Sequence, residues 1–159
     1  MRHTSRGKAA QRGGTIVETL VALPVVLFFF GGITQVAALE AAALNTRHAA
    51  HNAARSAAVV AADDPRHFGS AQVGALTGQR RVMVENVVRA SLGVSAPHPD
   101  FELSFAREEL HEGDEVEVTV TFEAPCRIPI GRFVCGTSGK KHMQATARYP
   151  YQGANYDYP

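Results

Sequence analysis

No residue between Thr19 and Leu39 carries a charge. About 20 consecutive apolar residues suffice for a helix to cross the hydrocarbon core of a bilayer. Val17 to Leu39 meets that length. Its most apolar part is Leu20–Phe30, while Gly31, Gly32, Thr34 and Gln35 dilute the second half and place Gln35 near the far interface. Only 19% of the chain is charged, as expected when one segment lies in lipid. A length of 159 residues leaves room for one modest domain beside such an anchor, and not for two domains with separate cores.

The flanks orient the segment. Arg2, Arg6, Lys8 and Arg12 all precede Gly13, and no acid accompanies them. On the other side come Glu40 and then, as the next base, Arg47. An excess of Lys and Arg marks the cytoplasmic side, so the N-terminus is expected inside and everything after about residue 40 outside. Without those four bases the chain holds twelve Lys and Arg against fifteen acids, a net charge near −3. A net-acidic body with scattered bases argues against nucleic-acid binding.

A basic leader followed by an apolar run also fits a plain single-span anchor or a secretory signal. For the latter, "QVAALEA" offers small residues at a cleavage position. The residues at the start of the run separate these readings. Glu18 is the fifth residue after Gly13, in "RGGTIVETL", and the apolar stretch begins at once. Secretory signals are cut after their apolar region, whereas here the candidate cut precedes it and would leave the anchor in place.

The stretch "RGGTIVETLVALPVVLFFFGGI" resembles the leader of the TadE/TadF-like family, the pilin-like components of tight-adherence (Flp) pilus machines. The resemblance is strongest over residues 12 to 40 and rests on architecture alone beyond them. It implies cutting after Gly13 by a prepilin peptidase of the inner membrane, with Gly14 as the new N-terminus. Glu18 matches the acidic position of the family motif. Thr19 stands where many relatives carry an aromatic residue, and Gly14 where classical type IV pilins carry Phe.

Physical chemistry gives the acid a reason. A carboxylate at the bilayer centre costs about 2.5–3.5 kcal/mol on insertion scales, and less near an edge. Cutting after Gly13 would create an α-amine one turn before Glu18. The positive end of the helix dipole lies there as well. In an assembled bundle the amine of one subunit could pair with the Glu18 of its neighbour, fixing axial register.

Helical character is expected to continue beyond the membrane. "LEAAALNTRHAAHNAARSAAVVAADD" is Ala-rich and free of Gly and Pro until Pro65. Ala is the best helix former. One helix is therefore expected from about Thr15 to Ala62, roughly 72 Å long, with Pro24 as a candidate kink. "DDPRHFGS" breaks it. A second helix is expected over about Ala71–Leu92, capped by Ser70, with Val73, Leu76, Val84, Val87, Val88 and Leu92 on its apolar side and Gly93 and Pro97 ending it. The period then changes to two. Phe101, Leu103 and Phe105 alternate with polar residues, and so do Val116, Val118, Val120 and Phe122. "HEGDE" reads as a hairpin connection. Met143, Ala145, Ala147 and Tyr149 form a third, weaker strand. Three strands with one apolar face need a cover, which the two helices can supply. The expected fold is α+β and type IV pilin-like: a long N-terminal helix, a second helix and a small antiparallel sheet.

Cys126 and Cys135 bracket "RIPIGRFV". Outside the cytoplasm such a pair is expected to form a disulfide, closing a loop worth about 2.5–3 kcal/mol in the chain-entropy view. Zinc is the rival ligand, but two cysteines at this spacing do not make a zinc site. CxxC redox spacing is absent as well. Among seven histidines, His48 and His51 fall at i, i+3, which solvated or interface positions explain. His111 opens "HEGDE", which lacks the second histidine of a zinc-protease signature. No catalytic constellation, cofactor motif or metal set emerges. Tyr149, Tyr151, Tyr156 and Tyr158 crowd the C-terminus, either packed on the sheet or facing a partner.

The expectation is a non-enzymatic minor pilin or pseudopilin of a tight-adherence pilus or secretion system, acting in pilus assembly and adhesion. It divides into a leader (1–13), a transmembrane half-helix (14–39), an extracytoplasmic half-helix (40–62) and a disulfide-bearing domain (63–159). Its partners would be the prepilin peptidase, other pilin-like subunits, the inner-membrane assembly platform and the membrane itself. Its place would be the bacterial inner membrane, N-terminus inside, with passage into the fibre on assembly. The alternatives are an unprocessed single-pass protein whose periplasmic domain binds an envelope partner, and a secreted domain freed by signal peptidase.

Overall fold

The computed structural model describes residues 7–69, 72–93, 98–126 and 135–153, with the backbone alone for 7–15. A single helix, α1 (Gly7–Ala62), runs 56 residues, about 84 Å at 1.5 Å per residue. It starts eight residues before the expected Thr15. Lys8, Ala9, Ala10, Gln11 and Arg12 are all strong helix formers, and their preference carries the helix through the Gly13–Gly14 pair. Pro24 sits inside α1 without ending it. Asp63 and Asp64 then terminate the helix, and the Asp64 side chain caps a single 3₁₀ turn, Pro65–Phe68, by accepting from the Arg66 N–H.

The second helix, α2, spans Gln79–Leu92. It begins eight residues later than the expected Ala71, and its N-cap is Gly78. Ser70, the expected cap, and Pro97 lie outside the described residues. The cause is Gly74 and Gly78, both at positive φ, +89° and +56°. Left-handed backbone at two positions four residues apart cannot belong to a right-handed helix. Leu76 therefore reaches the interior from a loop, and Val73 beside it is half-buried. The remaining apolar stripe falls as expected, with Val84, Val88 and Leu92 buried.

Three strands, β1 (Phe101–Phe105), β2 (Glu115–Pro125) and β3 (Lys140–Pro150), form one antiparallel sheet in the order β1-β2-β3. The period-two pattern sets the register: Val120 lies between Leu103 and Ala145, and Phe122 between Phe101 and Met143. Val116, Val118, Val120, Phe122 and Ala124 all point to one buried face. Each such valine contributes about 1.5–3 kcal/mol by leaving water. Opposite them lies the second half of α1, whose Ala42, Ala49, Ala50, Ala53, Ala54, Ala57, Ala58 and Ala61 are buried in the same core. Alanines at i, i+3 and i+4 leave a smooth helix face, so the branched β2 side chains can approach the backbone closely. The architecture is thus α+β, with α1 and α2 layered on one face of a three-stranded sheet.

Candidate functional site

Among the described residues nothing covers the first half of α1. Ile16, Val21, Phe30 and Ile33 are all more than 60% exposed, and the large apolar side chains between them are exposed as well. Among the described residues nothing packs against this stretch, and an apolar surface left bare in this way is compatible with an apolar surrounding. By length and composition it is long and apolar enough to cross a membrane. Thr34 donates its hydroxyl to the Phe30 carbonyl at 2.9 Å, so its polar group is satisfied within the helix.

Gly13 and Gly14 lie in helical backbone and Glu18 on the exposed helix surface, one turn after Gly14. A cut after Gly13 would set an amine about 6 Å along the axis from Glu18 and on the same face. Among the described residues nothing pairs with Glu18.

From Gly31 onward α1 acquires a second character. Gly31 and Gly32 are half-buried and Gln35 is only 2% exposed. The same helix face continues through Ala42, Thr46 and Ala49 into the domain core. Thr46 is buried and returns its hydroxyl to the Ala42 carbonyl. The helix is therefore one continuous rod, bare at one end and built into the domain at the other. No flexible linker separates the two halves, so a force or an orientation imposed on the apolar end is transmitted to the domain.

The far end of the rod is locked by an arginine of α2. Arg80 is fully buried. Its guanidinium donates to the backbone carbonyls of Asp63 (2.9 Å), Ala75 (3.3 Å) and Gln72, and lies 5.0 Å from the centroid of the Phe68 ring. It thereby satisfies a carbonyl just past the end of α1, where the helix dipole favours a cation. The loop before α2 is strapped down by Gly74, which donates to the Ala61 carbonyl and accepts from the Leu110 N–H. No local pattern marks this arginine, because its partners are main-chain atoms up to seventeen residues away.

Cys126 and Cys135 form a disulfide. The loop it closes, 127–134, lies outside the described residues, as do Tyr156 and Tyr158. Tyr151 is buried in the core, near the Ala61 carbonyl, whereas Tyr149 is 40% exposed. "HEGDE" is a turn, as expected: the Asp114 carboxylate accepts from the His111 N–H at 2.9 Å. That bond, with Arg107 beside it, holds the Asp114 carboxyl below the usual carboxylate range against some desolvation. On the outer sheet face Glu123 is likewise held low, chiefly by Lys140. His48 and His51 are both exposed, and among the described residues no group of His, Cys, Asp and Glu could hold a metal ion.

No protein-family model matches the chain, and no curated protein or solved structure matches it either.

Proposed function

We propose that this chain is a minor pilin or pseudopilin of a tight-adherence type of machine, held in the inner membrane by α1 and assembled through it. The observation that carries the reading is one rigid helix with two contrasting halves. One half is apolar on every side and begins at a Gly-Gly pair with an acid one turn in. The other half forms the spine of a small α+β domain. Such a subunit is retained in lipid by the first half until it is extracted, and it presents the second as a preformed head. Its role in this reading is structural: to start, prime or tip a pilus that supports adhesion.

Glu18 supplies the assembly signal. Before cutting it is a carboxylate at the edge of the apolar zone. After cutting, the Gly14 amine of the same chain or of a neighbour offsets its charge. The cytoplasmic leader with four bases keeps the N-terminus inside until the peptidase acts.

The N-terminus of the protein recovered from membranes tests the reading. Mass spectrometry should find Gly14 as the first residue, and Gly13→Ala should leave the leader attached and abolish incorporation. Glu18→Ala should be cut normally but fail to assemble. An intact leader on a functional protein would point to an unprocessed anchor with a partner-binding periplasmic domain. A start near residue 40 would point to a secreted domain.

A further inference from the structure

β3 is eleven residues long and pairs through one edge only, with β2. Among the described residues nothing pairs with its other edge. Unpaired edges are usually blunted by short length, bulges, cover, Pro or charges such as Lys, because they offer a row of free N–H and C=O groups to another strand. Here the edge is long and regular, and its Lys140, Lys141 and Arg148 oppose a neutral or basic strand but not an acidic one.

Beside it runs the flank of α1 that faces away from α2. Two clefts lie between that flank and β3. One, about 250 Å³, is lined by Arg47, His51, Gln144, Ala145 and Thr146. The other, about 620 Å³, has Ala58, Val59, Ala62, Asp63, Tyr149 and Pro150 among its walls, so its acid disfavours a further acidic residue at this end. Together they follow α1 and β3 in the same direction, so they are two stretches of one groove.

The groove is cationic at its first end. Arg47 and His51 line it, and Arg55 lies one turn further along the same helix. At the start of β3 stands the exposed Lys141. Among the described residues Arg47, Arg55 and Lys141 have no ion-pair partner. By contrast Lys140 and Arg148 are already matched by Glu123 and Glu117.

We propose that the open edge of β3 and the adjacent flank of α1 form a docking groove that takes an extended, acidic segment of a partner protein as a fourth strand. The spacing specifies the segment. Arg47, His51 and Arg55 follow each other at four-residue intervals, about 6 Å apart along the helix. Alternate residues of a strand are about 6.6–6.8 Å apart and point the same way. Acids at every second position would therefore meet these side chains in register, while the backbone pairs with β3. Towards Val59 and Tyr149 the segment should turn apolar. A second copy of β3 is a poor occupant: antiparallel pairing would set the Lys140–His142 end against Arg148, and parallel pairing would stack lysine beside lysine. The inference does not depend on cleavage of the leader.

The test uses the full chain in detergent micelles and a fluorescein-labelled peptide of five Thr-Glu repeats, with binding read by anisotropy. The alternating peptide should bind about tenfold more tightly than a block peptide of the same composition or a Thr-Lys counterpart, and the advantage should be lost in the Arg47→Glu/Arg55→Glu variant. N-methylation of one set of alternate amides in the peptide should abolish binding, whereas methylation of the other set should be tolerated. Hydrogen exchange at β3 should slow on binding. Equal binding of the block peptide, tolerance of both methylated sets, or no binding would overturn the proposal. So would an Arg47/Arg55-dependent association with phosphatidylglycerol vesicles in place of the peptide, which would assign the cationic flank to lipid headgroups.

Discussion

Replacing Arg80 with methionine should destabilise the domain more than any other single polar substitution described here. Methionine keeps most of the side-chain length and loses the guanidinium. Three carbonyls, those of Asp63, Gln72 and Ala75, would lose a charged donor inside the protein, and Phe68 would lose the cation at its ring face. Hydrogen bonds to charged groups contribute about 1.5–3 kcal/mol each. Part of that sum is offset because a buried cation is itself costly to desolvate. Arg80 Nε already lacks a partner among the described residues, so the native arrangement is not fully satisfied. The net loss should be about 3–5 kcal/mol, equivalent to a melting temperature lower by roughly 10–25 °C for a domain of this size. Arg81→Met is the control. Arg81 is 40% exposed; its bonds to Glu85 and Glu108 face water, and it adds one part-buried bond to the Leu103 carbonyl and a place over the Phe105 ring, so it should cost less, about 1–2 kcal/mol. Urea unfolding of the full chain in micelles, followed by circular dichroism, measures both. Hydrogen exchange should also show the last turns of α1 and the 72–78 loop opening first in Arg80→Met. If the two variants lose equal stability, or if the α1 terminus stays protected, Arg80 is not the tie that joins α1, the loop and α2.

Three further outcomes follow from the same geometry. Gly74→Ala should cost at least about 2–3 kcal/mol, because the position has φ +89° and a Cβ would lie 2.3 Å from the Leu110 carbonyl oxygen; Gly113→Ala, with the same φ but open space, should cost clearly less in the same unfolding assay. Cys126→Ser should lower stability by about 2.5–3 kcal/mol under oxidising conditions and leave the reduced protein little changed, as denaturant midpoints with and without reductant would record. Asp114 has a folded pKa below its unfolded value, so its contribution is present above the unfolded pKa and is lost as pH falls through the lowered folded one. Melting temperatures should therefore decline through the acid carboxylate range, and Asp114→Asn should flatten that decline while lowering stability at neutral pH.

Elements whose cause is local were legible in the sequence. The apolar run, the Ala-rich continuation of α1 and the alternation in β2 each follow from residue type and period, and the structure has all three. The disulfide was legible from two cysteines flanking a short loop. The start of α2 was not. Helical spacing through Val73 and Leu76 suggested a helix where residues 72–78 are in fact a loop, because Gly74 must approach the Leu110 backbone and only glycine allows that approach. The third strand looked weak because Ala145 and Ala147 are small. Its full eleven-residue length comes from pairing with β2 along the whole ladder.

The candidate sites divide along the same line. Gly13, Gly14 and Glu18 were open to proposal from the sequence because that proposal rests on order along the chain: a basic leader, a small pair, an acid, then an apolar run. Arg80 and the groove beside β3 were not, because neither has a local signature. A buried arginine reads as any polar helix position until the carbonyls that receive it are brought together from three separate segments. An open strand edge reads like any strand until the sheet order leaves one side unpaired. The sequence alone determined which segments are helix, strand and apolar span, since backbone preference and side-chain period are properties of neighbours in the chain. Only the tertiary structure decided which polar group is buried and which edge is free, since burial and pairing depend on what the rest of the chain brings to that place.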